Sequence, residues 1–173
     1  MTSWSSRLCN LSQVNVNRKG VTSMSTKPEG KAASAGSSRR IVVGVDGSDS
    51  ASMALDWAAA EADRTGAVLE IQTAYEPGYV HVTKDEIQRC MDALVEEAAA
   101  RVAKMTPGVT TIRGTHERTP AKALIEASDG ADLLVVGSRG LGGFKGLLLG
   151  SVSQQCSHHA RCPLTIVRAK AKQ

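Results

Sequence analysis

Residues 132–153 read DLLVVGSRGLGGFKGLLLGSVS, an order that predicts a strand, a glycine-rich loop and the start of a helix. The apolar run 132–136 is typical of a buried parallel strand. Ser151 is the kind of residue that caps a helix N-terminus. Free backbone amides and the positive end of the helix dipole would then meet a loop whose glycines allow positive φ and close approach to a ligand. The stretch therefore predicts an anion site, with phosphate as the leading candidate.

The loop matches neither of the two commonest phosphate loops. A Walker loop ends in Gly-Lys-Ser/Thr, but here Gly150 and Ser151 follow a leucine. The dinucleotide fingerprint fails because Lys145 stands where its third glycine is required. What remains is the spacing Gly137-x2-Gly140-x9-Gly150-Ser151.

Strand and helix patterns alternate from residue 40 to residue 168. Apolar runs predict strands over 40–46, 67–75, 109–115, 132–136 and 163–168, the third being more polar and therefore expected at an edge. Helices are expected between them, each with a capping residue at its start, and the longest presents the apolar stripe Ile87, Met91, Leu94, Ala98, Val102 and Met105. This alternation predicts a parallel α/β sheet with helices on both faces, and ligands then bind outside the carboxyl ends of the strands.

Charge and composition narrow the class of protein. The chain has a net charge of +4, but residues 1–40 contain seven Lys or Arg and one acidic residue, so the remainder carries −2. This distribution, with only 3% aromatic residues, argues against a nucleic-acid surface. No segment has the apolar length of a membrane span. The four cysteines do not suggest a disulfide framework and no secretory signal is recognisable, so the protein is expected in the cytoplasm. A metal site at Cys156–Cys162 is disfavoured because no usual zinc spacing occurs.

Three segments carry a resemblance to a known family. Residues 43–48 (VGVDGS), 135–140 (VVGSRG) and 162–167 (CPLTIV), with the glycine-loop spacing, resemble the universal stress protein family in its ATP-binding branch. The resemblance implies a five-stranded parallel sheet of order 3-2-1-4-5, a Rossmann-like fold of the adenine nucleotide alpha hydrolase type. It also implies a homodimer in which the last strand pairs antiparallel with its copy.

The same resemblance implies a site for an adenine nucleotide, with ATP as the expected ligand. The residues that it assigns to nucleotide binding are Gly44, Val45, Asp46, Ala74, Gly137, Ser138, Arg139, Gly140, Gly150, Ser151, Val152 and Ser153. Asp46 has three readings: an acceptor for ribose or adenine, a ligand of a Mg²⁺ that bridges to phosphate, or a helix cap. Arg139 and Lys145 either meet phosphate oxygens or form a solvated loop face. The family usually has glycine where this chain has Arg118, so Arg118 is expected near the mouth of the pocket.

The domain organisation and function follow. Residues 1–38 are expected to be a disordered tail, 39–169 the universal stress protein domain and 170–173 a C-terminal tail. The leading interpretation is that the chain is an ATP-binding stress-response protein, which acts as a nucleotide-dependent sensor or regulator without fast turnover of the nucleotide. No catalytic residue is assigned, because phosphoryl transfer needs a positioned base and a cationic clamp that no motif supplies. The alternatives are a slow ATPase or phosphotransferase, and an interaction scaffold with a vestigial pocket.

Overall fold

The computed structural model describes residues 39–76, 83–142 and 148–168. Within them, five parallel strands form one sheet of order β3-β2-β1-β4-β5, as predicted. The elements in chain order are β1 (Arg40–Gly44), α1 (Asp49–Thr65), β2 (Val68–Tyr75), α2 (Lys84–Met105), β3 (Thr111–Glu117), α3 (Pro120–Ala127), β4 (Leu133–Gly137), α4 (Ser151–His159) and β5 (Leu164–Val167). The expected tails, 1–38 and 170–173, lie outside the described residues.

The helix boundaries follow from local chemistry. Ser48 caps α1 by accepting from the Ala51 amide, and Gly66 ends this helix with φ of 68°. Thr83 and Glu86 form the predicted capping box of α2. Proline follows the Thr119 cap of α3 at the first helical position.

One predicted cap is wrong. The N-cap of α4 is Gly150, which has no side chain to accept an amide, and Ser151 is the first residue inside the helix. The Ser151 hydroxyl is therefore not spent on capping, and it lies exposed at the start of α4.

Several strand boundaries differ from the sequence prediction. β1 ends at Gly44 rather than at Asp46, so Asp46 lies in the loop after the strand. β3 begins two residues later than expected and continues to Glu117, because it pairs with β2 along its whole length, from Leu69–Thr111 to Tyr75–Glu117. Pro163 lies just outside β5.

The helices cover the sheet in two pairs, since α1 packs with α2 and α3 with α4. Core side chains with no or almost no exposure come mainly from the central strands, α1 and α2; the largest are Leu69, Ile71, Leu134, Val42, Val43, Val102 and Val135. Met105, predicted in the apolar stripe of α2, is 47% exposed because it is the last residue of the helix. None of the helices that are described is long and apolar enough to cross a membrane.

Candidate functional site

A cavity of about 580 Å³ opens at the carboxyl ends of the strands, where β1 and β4 lie side by side and the chain leaves them toward opposite faces of the sheet. A topological switch point of this kind is where open α/β sheets bind ligands. Every residue assigned to the site from the sequence lines this cavity except Ser138: Gly44, Val45, Asp46, Ala74, Gly137, Arg139, Gly140, Gly150, Ser151, Val152 and Ser153.

Ser138 supports the glycine loop from below. It is 4% exposed, and its amide donates to the carbonyl of Val167 in β5 at 2.7 Å. Its carbonyl accepts the Gly150 amide at 2.8 Å and the Ser153 hydroxyl at 3.0 Å. The backbone of Ser138 therefore joins the two ends of the loop, and Ser138 is not among the residues that line the cavity.

The N-terminus of α4 supplies backbone donors to the cavity. The first amide of the helix to reach an intrahelical carbonyl is that of Gln154, which donates to Gly150. The amides of Ser151, Val152 and Ser153 precede that turn, so the helix itself offers them no acceptor. The Ser153 hydroxyl is buried and donates to the Ser138 and Gly150 carbonyls, so this side chain fixes the loop. Only its amide is in a position to serve a ligand.

Asp46 connects the two loops that border the cavity. Its carboxylate accepts the Ser48 amide at 2.9 Å and, from the glycine loop, the Leu141 amide at 3.2 Å. One oxygen serves each amide, and each oxygen keeps a further lone pair. In this structure Asp46 thus positions Leu141 and still faces the cavity.

Two of the three motif glycines, Gly137 and Gly140, are required for close approach, and none of the three has positive φ. Among the described glycines, only Gly47, Gly66 and Gly130 have positive φ, so the described part of the glycine loop does not use the positive φ that glycine allows. A Cβ on Gly137 would lie 2.7 Å from the backbone carbon of Ser50. A Cβ on Gly140 would collide with the Asp46 carboxylate. A Cβ on Gly150 would meet nothing closer than 3.4 Å.

Apart from Ala74, sequence reasoning missed the wall that β2 and α3 contribute. Gln72 and Thr73 precede Ala74 on β2, and the α3 residues are Pro120, Ala123 and Leu124. The Leu124 side chain packs within 2.7 Å of the place where Gly44 would carry a Cβ. The available signal was Gln72, a polar residue two positions before Ala74 in the predicted second strand.

The charged residues named from the sequence differ in their relation to the cavity. Arg139 is exposed and lines the cavity, whereas Lys145 lies outside the described residues. Arg118 forms an ion pair with Glu126 and is not part of the cavity lining. Asp46 is the single carboxylate of the lining, and the described residues contain no group of three or more His, Cys, Asp or Glu that could hold a metal. A Mg²⁺ here would need phosphate and water for its other ligands, which is how Mg²⁺ usually binds.

Cys156 lies beneath α4 in a cluster with Val42, Leu134 and Val136, and it is fully buried. Burial raises the pKa of its thiol to about 11. It is a packing residue, and the neighbouring His158 is exposed in the last turn of α4.

The fold and cavity together define a parallel α/β protein with a cavity at its topological switch point. The family model for the universal stress protein family matches residues 37–168. The chain therefore belongs to the universal stress protein family, which confirms the resemblance.

Known relatives agree. A universal stress protein of Thermus aquaticus is 34% identical over 75% of this chain and 98% of its own length. One from Mycolicibacterium smegmatis is 34% identical over 75% of this chain and 46% of its own length. This chain thus spans about half the length of the first curated relatives that it matches.

Solved structures show the same fold. A crystal structure of a universal stress protein in complex with cAMP is 35% identical, with a TM-score of 0.61, and covers 76% of this chain and 97% of that one. The universal stress protein from Archaeoglobus fulgidus is 25% identical, with a TM-score of 0.61 over 75% of this chain and 93% of that chain.

Proposed function

We propose that this chain binds an adenine nucleotide, ATP being the expected one, and that it acts as a nucleotide-dependent sensor or regulator in a stress response. The observation that carries the proposal is the pairing of two unlike ends in one cavity. The α4 end offers the amides of residues 151–153, and the α3 end offers an apolar wall. A phosphate suits the first end and a nucleobase the second.

The size of the cavity and the chemistry of a relative support this proposal. A volume of about 580 Å³ lies within the range of small-molecule and cofactor sites. The universal stress protein solved with cAMP is 35% identical to this chain, and cAMP contains both an adenine and a phosphate.

Asp46 supports a binding role over rapid turnover. Both of its oxygens already accept backbone amides, from Ser48 and from Leu141. These two hydrogen bonds engage the carboxylate in holding the two loops together. Its remaining lone pairs suit a ribose hydroxyl or a Mg²⁺ held jointly with phosphate.

Calorimetry with ATP tests the proposal, using Gly140→Val and the control Gly142→Ala. A side chain at Gly140 collides with the Asp46 carboxylate and displaces it from the cavity rim, so ATP binding is expected to be lost. Gly142 also lines the cavity, but a Cβ there meets no described atom within 4 Å. The Gly142→Ala variant therefore tests whether any substitution in the loop is sufficient to abolish ATP binding. The fold should survive Gly140→Val, because the carboxylate is the end of a side chain and can move.

Two results would overturn the proposal. One is a parent protein that binds neither ATP nor AMP. The other is a folded Gly140→Val variant with the ATP affinity of the parent, since this loop would then not be the phosphate site.

A further inference from the structure

Gln72 contributes a buried polar side chain to a part of the cavity wall that is formed mainly by apolar residues. It is 7% exposed, and the cavity lining that β1, β2 and α3 contribute includes Gly44, Ala74, Pro120, Ala123 and Leu124. A buried amide in such surroundings is costly unless its hydrogen bonds are made. The Gln72 side chain therefore calls for partners.

The sheet is shaped to hold this side chain. Gln72 pairs in register with Gly44 on one side and with Gly114 on the other, so neither neighbouring strand places a side chain beside it. A Cβ on Gly114 would lie 2.8 Å from the Gln72 side-chain carbon Cδ. The Gln72 amide thus lies directly over the Gly114 backbone, in space that any other residue would fill.

His116 orients the amide group. It lies two residues beyond Gly114 on the same face of β3, and its Nε2 is 2.7 Å from the Gln72 Oε1. Burial lowers the pKa of His116, and the positive charge of Arg118 lowers it further, against an opposing effect of Glu126. The ring is therefore neutral at pH 7, and as the Nε2–H tautomer it donates to the Gln72 oxygen. Within the described part of the chain, His116 is the one hydrogen-bond partner of this side chain, which leaves the –NH₂ group for the cavity.

The position of Gln72 matches the base of a nucleotide whose phosphate lies at α4. The glycine loop follows β4, and β2 lies two strands away across β1, or about 10 Å. That separation is comparable to the distance between the phosphate and the base of one nucleotide. The apolar residues around Gln72 suit the faces of a purine.

We propose that the Gln72 amide donates a hydrogen bond to a ring nitrogen of the bound adenine, and that His116 is a positioning residue that holds the amide in this orientation. This inference rests on the proposed nucleotide site and names a residue that selects the base within it. Ring nitrogens N1, N3 and N7 of adenine are acceptors, so a fixed donor reads one of them.

Calorimetry with AMP and the 5′-monophosphates of 1-deaza-, 3-deaza- and 7-deazaadenosine tests the inference. Each analogue replaces one ring nitrogen with C–H and keeps the phosphate. The parent is expected to bind one analogue about tenfold more weakly than AMP, the equivalent of one hydrogen bond. Gln72→Met keeps the length of the side chain without the amide, and it should bind AMP about tenfold more weakly and no longer distinguish that analogue.

Two further variants complete the design. His116→Leu should reduce the discrimination to less than about threefold while Gln72 remains, since an unheld amide donates less well. Gln88→Met makes the same chemical change on α2, where Gln88 bonds the Tyr75 hydroxyl outside the cavity, and should leave the discrimination intact.

The outcomes separate the two proposals. A parent that binds neither AMP nor ATP overturns both. A parent that binds AMP and all three analogues equally overturns the role of Gln72 alone, as does full discrimination in Gln72→Met. Full discrimination in His116→Leu overturns the positioning role of His116.

Discussion

Ser50 and Arg139 are 89 residues apart in the chain and exchange two hydrogen bonds. The Ser50 hydroxyl donates to the Arg139 carbonyl and accepts the Arg139 amide at 3.3 Å. Ser50 lies in the first turn of α1 and is 6% exposed, whereas Arg139 follows β4. The Ser50 side chain therefore fastens the glycine loop to the start of α1, and the Ser48 hydroxyl adds a longer contact to the same carbonyl at 3.4 Å.

Ser50→Ala is expected to loosen the glycine loop. The change leaves the Arg139 amide and carbonyl without this partner, and the free energy of unfolding should fall by about 1–3 kcal/mol. Chemical denaturation measures that loss. Affinity for ATP should fall more than affinity for adenosine, because the loop faces the phosphate end of the proposed ligand. An equal loss for both ligands would contradict the specific effect on the loop.

Two glycines of one motif are expected to respond differently to alanine. In Gly137→Ala the new Cβ would press on the α1 backbone at Ser50 and Ala51, which cannot move aside, so stability should fall by about 3 kcal/mol. In Gly150→Ala the contacts are ordinary, and the cost should remain below about 1 kcal/mol, the range of an N-cap change. Urea denaturation of both variants measures the difference. Equal losses would refute the assignment of Gly137 to helix–sheet packing.

The direction of the backbone groups in β5 shows which substitution can test the proposed homodimer. The carbonyls of Pro163 and Val167 accept amides of β4 and the following loop, so the backbone N–H and C=O groups of residues 163, 165 and 167 point toward β4. The backbone groups of Leu164 and Ile166 then point toward the outer edge of the sheet. Ile166→Pro removes an outward donor, and we expect a folded monomer.

The control for this prediction is Thr165→Pro, which disrupts pairing with β4 and should destabilise the fold itself. Analytical ultracentrifugation and circular dichroism separate the two effects. A monomeric parent would contradict the proposed dimer.

Cys156 predicts a loss of stability in alkaline solution. Burial raises its pKa to about 11 from an ordinary value of 9.0, so the folded state keeps the thiol protonated where the unfolded chain releases the proton. This contribution is fully present below pH 9 and is lost as the pH rises toward 11. Melting temperatures of the parent should therefore fall more steeply over this interval than those of Cys156→Ala. Parallel curves would show that the thiol does not titrate differently in the two states.

The sequence pattern by itself determined the parallel α/β class, and the resemblance to a family supplied the sheet order and the candidate site residues. Apolar runs separated by capped helices permit few arrangements, because parallel strands need crossovers of one hand. The spacing from Gly137 to Ser151, with its resemblance to a family, identified the loop that borders the cavity. These signals are local, and Thr83, Thr119 and Gly66 behave as their side chains or lack of side chain require.

Only the tertiary structure decided which residues that are distant in the chain contact each other at the candidate site. The contact between Ser50 and Arg139, the clash that keeps Gly140 a glycine and the bond from His116 to Gln72 each join segments 44 or more residues apart. No local pattern encodes such pairs, since they depend on strand register. The same reason explains Gly114, which looks like a weak position in an edge strand and becomes necessary only because Gln72 of the neighbouring strand lies across it.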